Sequence, residues 1–515
     1  MKLNKKIKIL WIDDEIDLLQ SHIFFLKAKG YLVDTALDGL SALEMIIDNN
    51  YDLVFLDENM TGLTGLETLV KIKELKSQLP VVMITKNEEE QIMEEAIGSK
   101  ISDYLIKPVN PNQILLSIKK NLNLSDLISS KTVVRYNEGF REISYLINQN
   151  LNYKEWIDLY KKIVFWELEL IETNNIELTT TLYDQYKKAN HMFFKYIKEN
   201  YHYWFSDSKI DVPIMSHNLF KKEVMPLIEN KDDLFVIVID NLRYDQWKLL
   251  EKYIIEHFNI KENLYYSILP TSTEFSRNSF FAGIMPLEIS ERFPQFWSPD
   301  DKKSKNKFEY ELLRSQLSED IDFNYYKITN YDFGKKIYGM LPNLLNKQLN
   351  VLVFNFIDIL SHAKSEISFI KELTVTDSAY RSLTESWYKN SYLSDILKYI
   401  SDKKRKIFLT TDHGTIGVNN PIKILADKET NTNLRFKYGK NINVKNSDVF
   451  LIDDPEKIKL PKYNLSTKYH FTHSDNFFVY PSNYNYYVNL YKNTFQHGGI
   501  SLQEVLVPYV ILEPK

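Results

Sequence analysis

Short apolar runs alternate with amphipathic segments over residues 7–120 of the chain. This pattern predicts five strands and five helices in alternation, which is typical of a parallel, doubly wound sheet. The predicted strands are 7–12, 33–35, 53–56, 81–85 and 104–106, and the predicted helices are 17–29, 39–49, 65–75, 88–96 and 112–121. In such sheets the functional residues gather at the carboxyl ends of the strands.

The pattern changes over residues 125–205, where Gly139 is the one glycine and proline is absent. Apolar residues recur there at helical spacing in segments near 126–149, 153–172 and 176–204, which predicts a helical bundle. We interpret its aromatic residues as core: Trp156, Trp166, Tyr183, Tyr186, Phe193 and Tyr196.

Strand-like runs return after Pro213 and predict a second, larger α/β domain with insertions. The predicted strands are 234–239, 265–268, 351–356, 406–411, 449–452, 477–480 and 486–490. The prediction is an α/β multidomain chain, with a (βα)5 domain at 1–121, an all-helical linker bundle at 122–208 and a larger α/β domain at 209–515.

Composition narrows the class of protein. Of the 515 residues, 44% are hydrophobic and 26% charged, so the chain can bury large cores. The net charge of −5 and the absence of a helix-turn-helix pattern argue against direct sequence-specific DNA binding. The absence of cysteine leaves His, Asp and Glu as metal ligands. Acidic residues interrupt the first apolar run and no long apolar run follows, so we expect no signal peptide, no membrane insertion and a cytoplasmic location.

Polar residues stand where the strands of the first domain end. Asp13 and Asp14 follow the first predicted strand, Asp57 follows the third, Thr85 ends the fourth and Lys107 follows the fifth. All five should meet at one edge of the sheet. Three crowded carboxylates favour a bound hard cation such as Mg²⁺, and the lysine can pair with a phosphoryl group on Asp57.

This ordered set resembles the CheY-like receiver family over residues 7–121. The resemblance implies Asp57 as phospho-acceptor, Asp13 and Asp14 as the Mg²⁺ pocket, Thr85 and Tyr104 as a switch pair, and Lys107 as the phosphate sensor. It also implies that phosphorylation changes the surface near the last helices and favours a homodimer.

A second set of carboxylates and imidazoles lies in the larger domain: Asp240, Asp358, His362, Asp412, His413 and His497. Asp358 and His362 are four residues apart, a spacing that shares one face of a helix. Two glycines follow His497 and let the backbone pass close to a ligand. Neutral imidazole and carboxylate are typical zinc ligands, and six of them fit two ions with open positions for a substrate.

A nucleophile for this site is predicted in the segment Pro270–Thr271–Ser272–Thr273, which reads as a strand-to-helix turn. A hydroxyl there lies near the anion-binding end of a helix, and a bound zinc would make it nucleophilic. We favour Thr271, with Thr273 as the alternative. Arg277, further along the same helix, is expected to reach a phosphate oxygen.

These elements, in this order, resemble the alkaline phosphatase superfamily and its PglZ branch over residues 234–511. The resemblance implies that Asp358, His362 and His497 hold one zinc. It implies that Asp240, Asp412 and His413 hold the other, with the threonine between the two ions.

The order of receiver, helical linker and PglZ domain resembles response regulators associated with type IX secretion in gliding and periodontal bacteria. That resemblance implies a zinc phosphodiesterase acting on linear and cyclic oligonucleotides. It also implies a sensor histidine kinase of the PorY type and an extracytoplasmic-function sigma factor as partners. A scaffold that docks the sigma factor, with hydrolysis secondary or absent, is the alternative function.

Two insertions, at 279–350 and 419–490, can cap the site. Their aromatic residues suit base stacking or an ordinary core, and core is the preferred interpretation. His470 and His473 lie in the second insertion and are interpreted as surface residues, with assistance to a leaving group as the alternative. The single identified cation, Arg277, favours a singly charged diester over a monoester.

Overall fold

The computed structural model describes residues 7–86, 101–171, 176–206, 211–229, 233–297, 306–366, 376–427, 430–444 and 449–515. The predicted helix 88–96 lies outside these residues. The chain forms two compact units, Met1–Arg135 and Tyr136–Lys515. None of the helices in the described parts combines the length and apolar character that a bilayer span requires.

The first unit contains a parallel five-stranded sheet in the order β2-β1-β3-β4-β5, which confirms the predicted doubly wound fold. Its strands are β1 Lys8–Ile12, β2 Leu32–Ala36, β3 Leu53–Asp57, β4 Val81–Thr85 and β5 Asp103–Ile106. Its helices are α1 Gln20–Ala28, α2 Gly39–Asp48 and α3 Gly65–Leu75. Every residue of β3 and β4 is buried, as expected for central strands covered on both faces.

Helix α4, Pro111–Ile147, replaces two predicted helices by one and belongs to both units. Its length follows from composition, because no glycine or proline occurs between Asn112 and Glu138. Proline at the first helical position costs nothing there, since that N–H has no partner within a helix.

The second unit begins with a helical bundle, as predicted, formed by the end of α4 with α5 Tyr153–Ile171 and α6 Ile176–Asn200. The α/β domain follows, and its helices are α7 Ser216–Leu219, α8 Met225–Glu229, α9 Tyr244–Ile254, α10 Thr273–Ala282, α11 Pro286–Arg292, α12 Glu309–Gln316, α13 Tyr331–Leu344, α14 Phe356–Glu366, α15 Asp377–Asn390, α16 Tyr392–Asp402, α17 Tyr484–Tyr491 and α18 Leu502–Val505.

A six-stranded sheet in the order β7-β19-β10-β6-β9-β8 forms the centre of this domain. Its strands are β6 Leu234–Ile239, β7 Phe258–Tyr266, β8 Phe323–Ile328, β9 Leu349–Phe354, β10 Lys406–Thr410 and β19 Leu506–Pro514. Strands β8, β9, β6 and β10 are parallel neighbours, so their carboxyl ends meet at one edge. Strand β19 is antiparallel to β10 and to β7.

The second insertion contains two small sheets, and a third, formed by the two strands that flank the insertion, lies beside them. Their strands are β11 Ile416–Val418, β12 Asn420–Leu425, β13 Phe436–Gly439, β14 Asn443–Val444, β15 Phe450–Ile452, β16 Lys468–Phe471, β17 Asn476–Val479 and β18 Thr494–Gln496.

The two faces of the large sheet build separate cores, because side chains alternate along a strand. Phe235, Ile237 and Ile239 of β6 join one core, and the residues between them join the other. The first core also contains the bundle aromatics Trp156 and Phe193. The linker bundle and the α/β domain therefore share one hydrophobic core. The interpretation as core is correct for these two residues but wrong for Tyr183, which is 46% exposed.

The predicted strand 486–490 is wrong, since these residues lie in helix α17. The segment is rich in tyrosine and valine, which favour strands when taken alone. Its side chains at i, i+3, i+4 and i+7 (Tyr484, Tyr487, Val488 and Tyr491) instead pack against one small core. That contact has helical spacing and outweighs the intrinsic preference.

Candidate active site and receiver pocket

Asp13, Asp14 and Asp57 lie together at the carboxyl edge of the first sheet, with one oxygen of each within 4.8 Å of the others. The Nζ atom of Lys107 lies 2.9 Å from both Asp13 Oδ2 and Asp57 Oδ1. Burial raises the pKa of Asp57, although Lys107 opposes the effect. One ammonium cannot balance three carboxylates, so this donor set fits a divalent cation with oxygen ligands.

The predicted switch residues lie beside this pocket. Thr85 is fully buried at the end of β4, and its side chain is hydrogen-bonded to that of Tyr104. Tyr104 is partly exposed on β5, the edge strand of the sheet. A displacement of the Thr85 side chain would therefore also shift the Tyr104 ring.

Two groups of three ligands meet at the carboxyl edge of the large sheet. One group is Asp358, His362 and His497, the other is Asp240, Asp412 and His413, and the ligand atoms of each group lie within 4.8 Å of one another. The rings of His413 and His497 stack with centroids 4.2 Å apart, so the two groups adjoin. The structure thus brings together the two ligand sets that the family resemblance implies.

Local structure explains this convergence. Asp240 follows β6 directly, and Asp412 and His413 follow the neighbouring strand β10. Asp358 lies in the first turn of α14, which places His362 one turn further, with 3.4 Å between Asp358 Oδ1 and the imidazole Nε2. His497 follows the short strand β18, whose partner β11 begins shortly after His413.

Backbone carbonyls orient two of the imidazoles. His413 Nδ1 donates to the carbonyl of Gly414 at 3.1 Å, and His497 Nδ1 donates to that of Thr271 at 3.2 Å. A carbonyl can only accept, so each ring carries its proton on Nδ1 and presents Nε2 to the site. Metal-ligating histidines are held in this way in proteins.

Asn241 connects the two ligand groups and was missed by the sequence analysis. Its backbone N–H donates to Asp412 Oδ1 at 3.2 Å, and its side-chain amide lies 3.3 Å from Asp358 Oδ1. The backbone φ of Asn241 is +66°, a left-handed conformation that asparagine tolerates better than most residues. The available signal was an asparagine directly after a strand that ends at an acidic ligand.

Electrostatics favours bound cations at this site. Burial raises the pKa of Asp240 and of Asp412, and the opposing Arg277 does not restore the usual range. Burial lowers the pKa of His413 and of His497, which keeps both imidazoles neutral. Burial alone would raise the pKa of Asp358, but neighbouring His362 lowers it overall. The buried Asp412 Oδ2 has no hydrogen-bond partner among the described residues, which a metal ion would supply.

The two candidate hydroxyls face different ways. Thr273 Oγ1 lies 3.1 Å from His413 Nε2 and 3.5 Å from Asp240 Oδ1. Thr271 is fully buried, and its hydroxyl donates to the carbonyl of Gly499 at 2.9 Å and accepts from the N–H of Gly498 at 3.1 Å. The preference for Thr271 does not agree with this geometry, since Thr273 faces the ligand atoms.

Arg277 is not presented to a substrate, in contrast to the expectation from sequence. It is fully buried, and its guanidinium lies 2.6 Å from Asp240 Oδ2 and 2.6 Å from Glu309 Oε1. Burial lowers the pKa of Lys327, which lies 3.5 Å from the same glutamate. Arg277 therefore holds the carboxylate of Asp240 in place from the buried side of the site.

The glycines near the site serve packing instead of close approach to a ligand. Gly498 has φ +116°, and a Cβ at Gly499 would lie 2.8 Å from the guanidinium of Arg435. That arginine is paired with Glu504, whose Oε1 also accepts from the N–H of Gly499 at 2.9 Å. The ion pair fixes the loop that carries His497.

His470 and His473 are buried, so their interpretation as surface residues is wrong. His470 lies opposite Lys437 in the small sheet of β13, β15 and β16. Burial lowers the pKa of His470 to about 4. The ring of His473 stacks on that of Phe194 in the linker bundle, with centroids 4.0 Å apart.

Three family models match the chain. The response regulator receiver domain matches residues 9–119, and the PorX response regulator linker domain matches 126–205. The BREX system PglZ alkaline phosphatase-like domain matches residues 219–512, which is more than half of the chain. The chain belongs to the PglZ family. With a receiver and a PorX linker ahead of its PglZ domain, it is a PorX-like response regulator, as the sequence analysis predicted.

Two curated relatives match about a quarter of the chain, and the chain spans half or less of their own length. The transcriptional regulatory protein ResD of Bacillus subtilis is 32% identical over 119 residues, which cover 23% of this chain and 49% of ResD. ZraR of Klebsiella oxytoca is 34% identical over 118 residues, 23% of this chain and 27% of ZraR. A two-component response regulator structure from Clostridium difficile is 34% identical and covers 23% of this chain and 97% of its own, with a TM-score of 0.22.

The linker bundle holds two loops of the PglZ site, a role that sequence patterns did not reveal. Tyr201 is buried, and its hydroxyl accepts from the N–H of Leu269, two residues before Thr271, at 2.8 Å. The side-chain carbonyl of Asn190 in α6 accepts from the N–H of Leu502 at 2.7 Å. Leu502 is the first residue of α18, where the loop from His497 ends. Linker residues thus touch both the threonine turn and the His497 loop.

We expect Tyr201→Phe to lower the free energy of unfolding of the second unit, Tyr136–Lys515, by about 1–3 kcal/mol, because the buried N–H of Leu269 loses its acceptor. The value of kcat for hydrolysis by the PglZ domain should fall several-fold, since the same contact positions the turn at Thr271. Thermal unfolding and initial rates measure the two effects. The control Tyr203→Phe removes the hydroxyl of a half-exposed residue in the 3-10 helix Tyr201–Phe205 and should change neither. Equal kcat in both variants would show that the contact does not position the turn.

We expect the receiver to accept one phosphoryl group from acetyl phosphate with Mg²⁺, and Asp57→Asn to accept none. Lys107 faces the carboxylate of Asp57, and an amide at this position cannot form an acyl phosphate. Intact-mass measurement reports the group directly. Asp48→Asn, an exposed carboxyl in the same domain, is the control and should be labelled like the wild type. Labelling of Asp57→Asn would place the group on another residue.

Proposed function

We propose that the PglZ domain is a zinc-dependent phosphodiesterase with Thr273 as its nucleophile, in a response regulator that is phosphorylated on Asp57. The observation that carries the proposal is the placement of the Thr273 hydroxyl against His413 and Asp240, two members of one ligand group. The other group adjoins them through His497. Thr273 also begins the ten-residue helix α10, whose first N–H groups are unpaired within the helix and favour an anion.

The two ligand groups assign the metals. Asp240, Asp412 and His413 would hold one zinc ion, and Asp358, His362 and His497 the other. Bound zinc lowers the pKa of a hydroxyl and stabilises negative charge on phosphate oxygens.

The residues of the chain then account for the reaction in two displacements. The Thr273 oxygen forms a bond to phosphorus while the bond from phosphorus to one ester oxygen breaks, and that oxygen leaves as an alcohol with the hydroxyl's proton. Water next attacks the phosphothreonine diester, the bond between phosphorus and the threonine oxygen breaks, and a phosphate monoester leaves. Asn241 keeps Asp358 and Asp412 in place throughout.

The charges around the site favour a diester over a monoester. A monoester dianion requires more positive charge around the phosphoryl group than a singly charged diester. Arg277, the cation expected at the substrate, is instead buried behind Asp240.

Initial rates on three reporters test the proposed reaction: bis(p-nitrophenyl) phosphate, p-nitrophenyl phosphate and p-nitrophenyl sulfate. We expect kcat/KM to be highest for the diester. A higher value for the monoester or the sulfate would assign the site to a different reaction of the superfamily.

The domain set supports the remaining parts of the proposal. A receiver implies a phosphodonor such as a histidine kinase, and we propose a sensor kinase of the PorY type. From the resemblance to PorX-like response regulators, we propose oligonucleotide substrates, an extracytoplasmic-function sigma factor as partner, a homodimer on phosphorylation and a link to type IX secretion.

A further inference from the structure

A cavity of about 500 Å³ opens at the carboxyl ends of β8 and β9, next to the helix that carries two of the zinc ligands. Eight apolar or aromatic side chains contribute to its lining, among them Tyr331, Phe354, Phe356, Leu360, Trp387 and Tyr392. We call this cavity the aromatic groove. Its volume lies in the range of pockets that bind small organic ligands.

An exposed stripe on α14 connects the aromatic groove to the metal ligands. Phe356, Ile359 and His362 are spaced three residues apart, so they follow one another along the helix surface. Their exposed fractions are 38% for Phe356 and 47% for Ile359, and the side chain of His362 is 53% exposed. Phe356 and His362 are six residues apart, which corresponds to about 9 Å along the helix axis. The groove therefore lies close to the ligand residue His362.

The rings of the aromatic groove are arranged in pairs. Phe356 and Trp387 are parallel, with an interplanar angle of 5° and centroids 5.1 Å apart. The rings of Tyr331 and Tyr392 are 5.0 Å apart. Asn330 and Asn390 also line the groove. Aromatic walls with a few amides favour a flat heteroaromatic ring, and the apolar lining disfavours a second phosphate.

We propose that the aromatic groove binds one nucleobase of the substrate, stacked against the Phe356–Trp387 pair while the diester lies at the two ligand groups. A base is joined to its phosphate through one sugar, a length suited to the distance along α14. The inference rests on the proposed phosphodiesterase and adds a base-binding subsite, which assigns the substrate to the nucleotide diesters. Base stacking on aromatic side chains tolerates different bases, so little base preference is expected.

A dinucleotide and its two abasic analogues, each lacking the base of one nucleoside, test the subsite in the full-length zinc-loaded protein. For the wild type, kcat/KM should be about tenfold higher for the dinucleotide than for one of the two analogues, the lower part of the range for one base–aromatic stack. Trp387→Leu, which keeps an apolar side chain without a stacking face, should reduce that ratio to about one. Phe356→Leu is the second variant and should act in the same direction.

Tyr310→Leu is the matched control. Tyr310 is an exposed aromatic residue stacked on Phe323, at the opposite end of β8 from the aromatic groove. It should leave the ratio at the wild-type value, and thermal unfolding will show that all three variants are folded. A wild-type ratio near one for both analogues, or a Trp387→Leu ratio equal to that of the wild type, would overturn the subsite while bis(p-nitrophenyl) phosphate is still hydrolysed. Absence of hydrolysis for every diester would overturn the proposed function as well.

Discussion

Thr273→Val will reduce diester hydrolysis by at least about a thousandfold, because valine has the shape of threonine without the attacking oxygen. Losses of this order or larger follow removal of the nucleophile in enzymes with covalent intermediates. Zinc content should stay at the wild-type value, since the hydroxyl is outside the two ligand groups. Initial rates and metal analysis of the same preparations measure both quantities.

Two matched variants make this result specific. Thr273→Ser keeps a hydroxyl at the same position and should retain measurable turnover. Thr271→Val removes the hydroxyl that holds Gly498 and Gly499, so it should weaken the His497 loop and reduce the rate partially. An inactive Thr271→Val with full zinc content, beside an active Thr273→Val, would assign the attack to Thr271.

Asp358→Asn will remove one of two zinc ions per chain and reduce the rate by about a thousandfold. An amide oxygen is a weaker ligand than a carboxylate. Asp358 is the only carboxylate in its ligand group, which also contains His362 and His497. Its neighbours in the group are two imidazoles, one of which is largely exposed on α14. We expect two ions for the wild type and one for the variant by elemental analysis after gel filtration.

Asp395→Asn, an exposed carboxyl in the first turn of α16, is the control for the metal measurement. It should bind as much zinc as the wild type and hydrolyse the diester at the same rate. Two ions retained in Asp358→Asn would show that the first ligand group is not a zinc site.

The convergence of the six carboxylate and imidazole residues could be predicted from sequence because parallel strands place their carboxyl ends at one edge. Asp240 follows β6 and Asp412 follows β10. These two strands pair directly and in parallel, so strand order brings the two carboxylates together. The receiver residues around Asp57 likewise follow the ends of neighbouring parallel strands. Both inferences depend on strand pattern and residue type, which a single sequence contains.

The choice between Thr271 and Thr273 could not be predicted, because both hydroxyls lie on one short turn. The decision depends on Gly498 and Gly499, which are more than 200 residues away and engage the hydroxyl of Thr271. Arg277 raised the same difficulty, since its partner Glu309 comes from a different helix. Long-range contacts of this kind leave no periodic signal in the sequence.

The contacts between the linker bundle and the loops of the site could not be predicted either, because they are also long-range. Asn190 and Tyr201 read as ordinary members of helical segments, and their partners Leu502 and Leu269 are distant in the chain. The shared hydrophobic core makes the bundle part of the unit that contains the catalytic site.

Zinc content and diester turnover, measured together on one preparation of the wild-type chain, test the central claim most directly. The chain would be stripped with a chelator, assayed on bis(p-nitrophenyl) phosphate, and titrated with zinc while binding and rate are followed. We predict no turnover in the stripped chain and a rate that reaches its maximum at two zinc ions per chain. Full turnover by the stripped chain, or two bound zinc ions without turnover, would contradict the account.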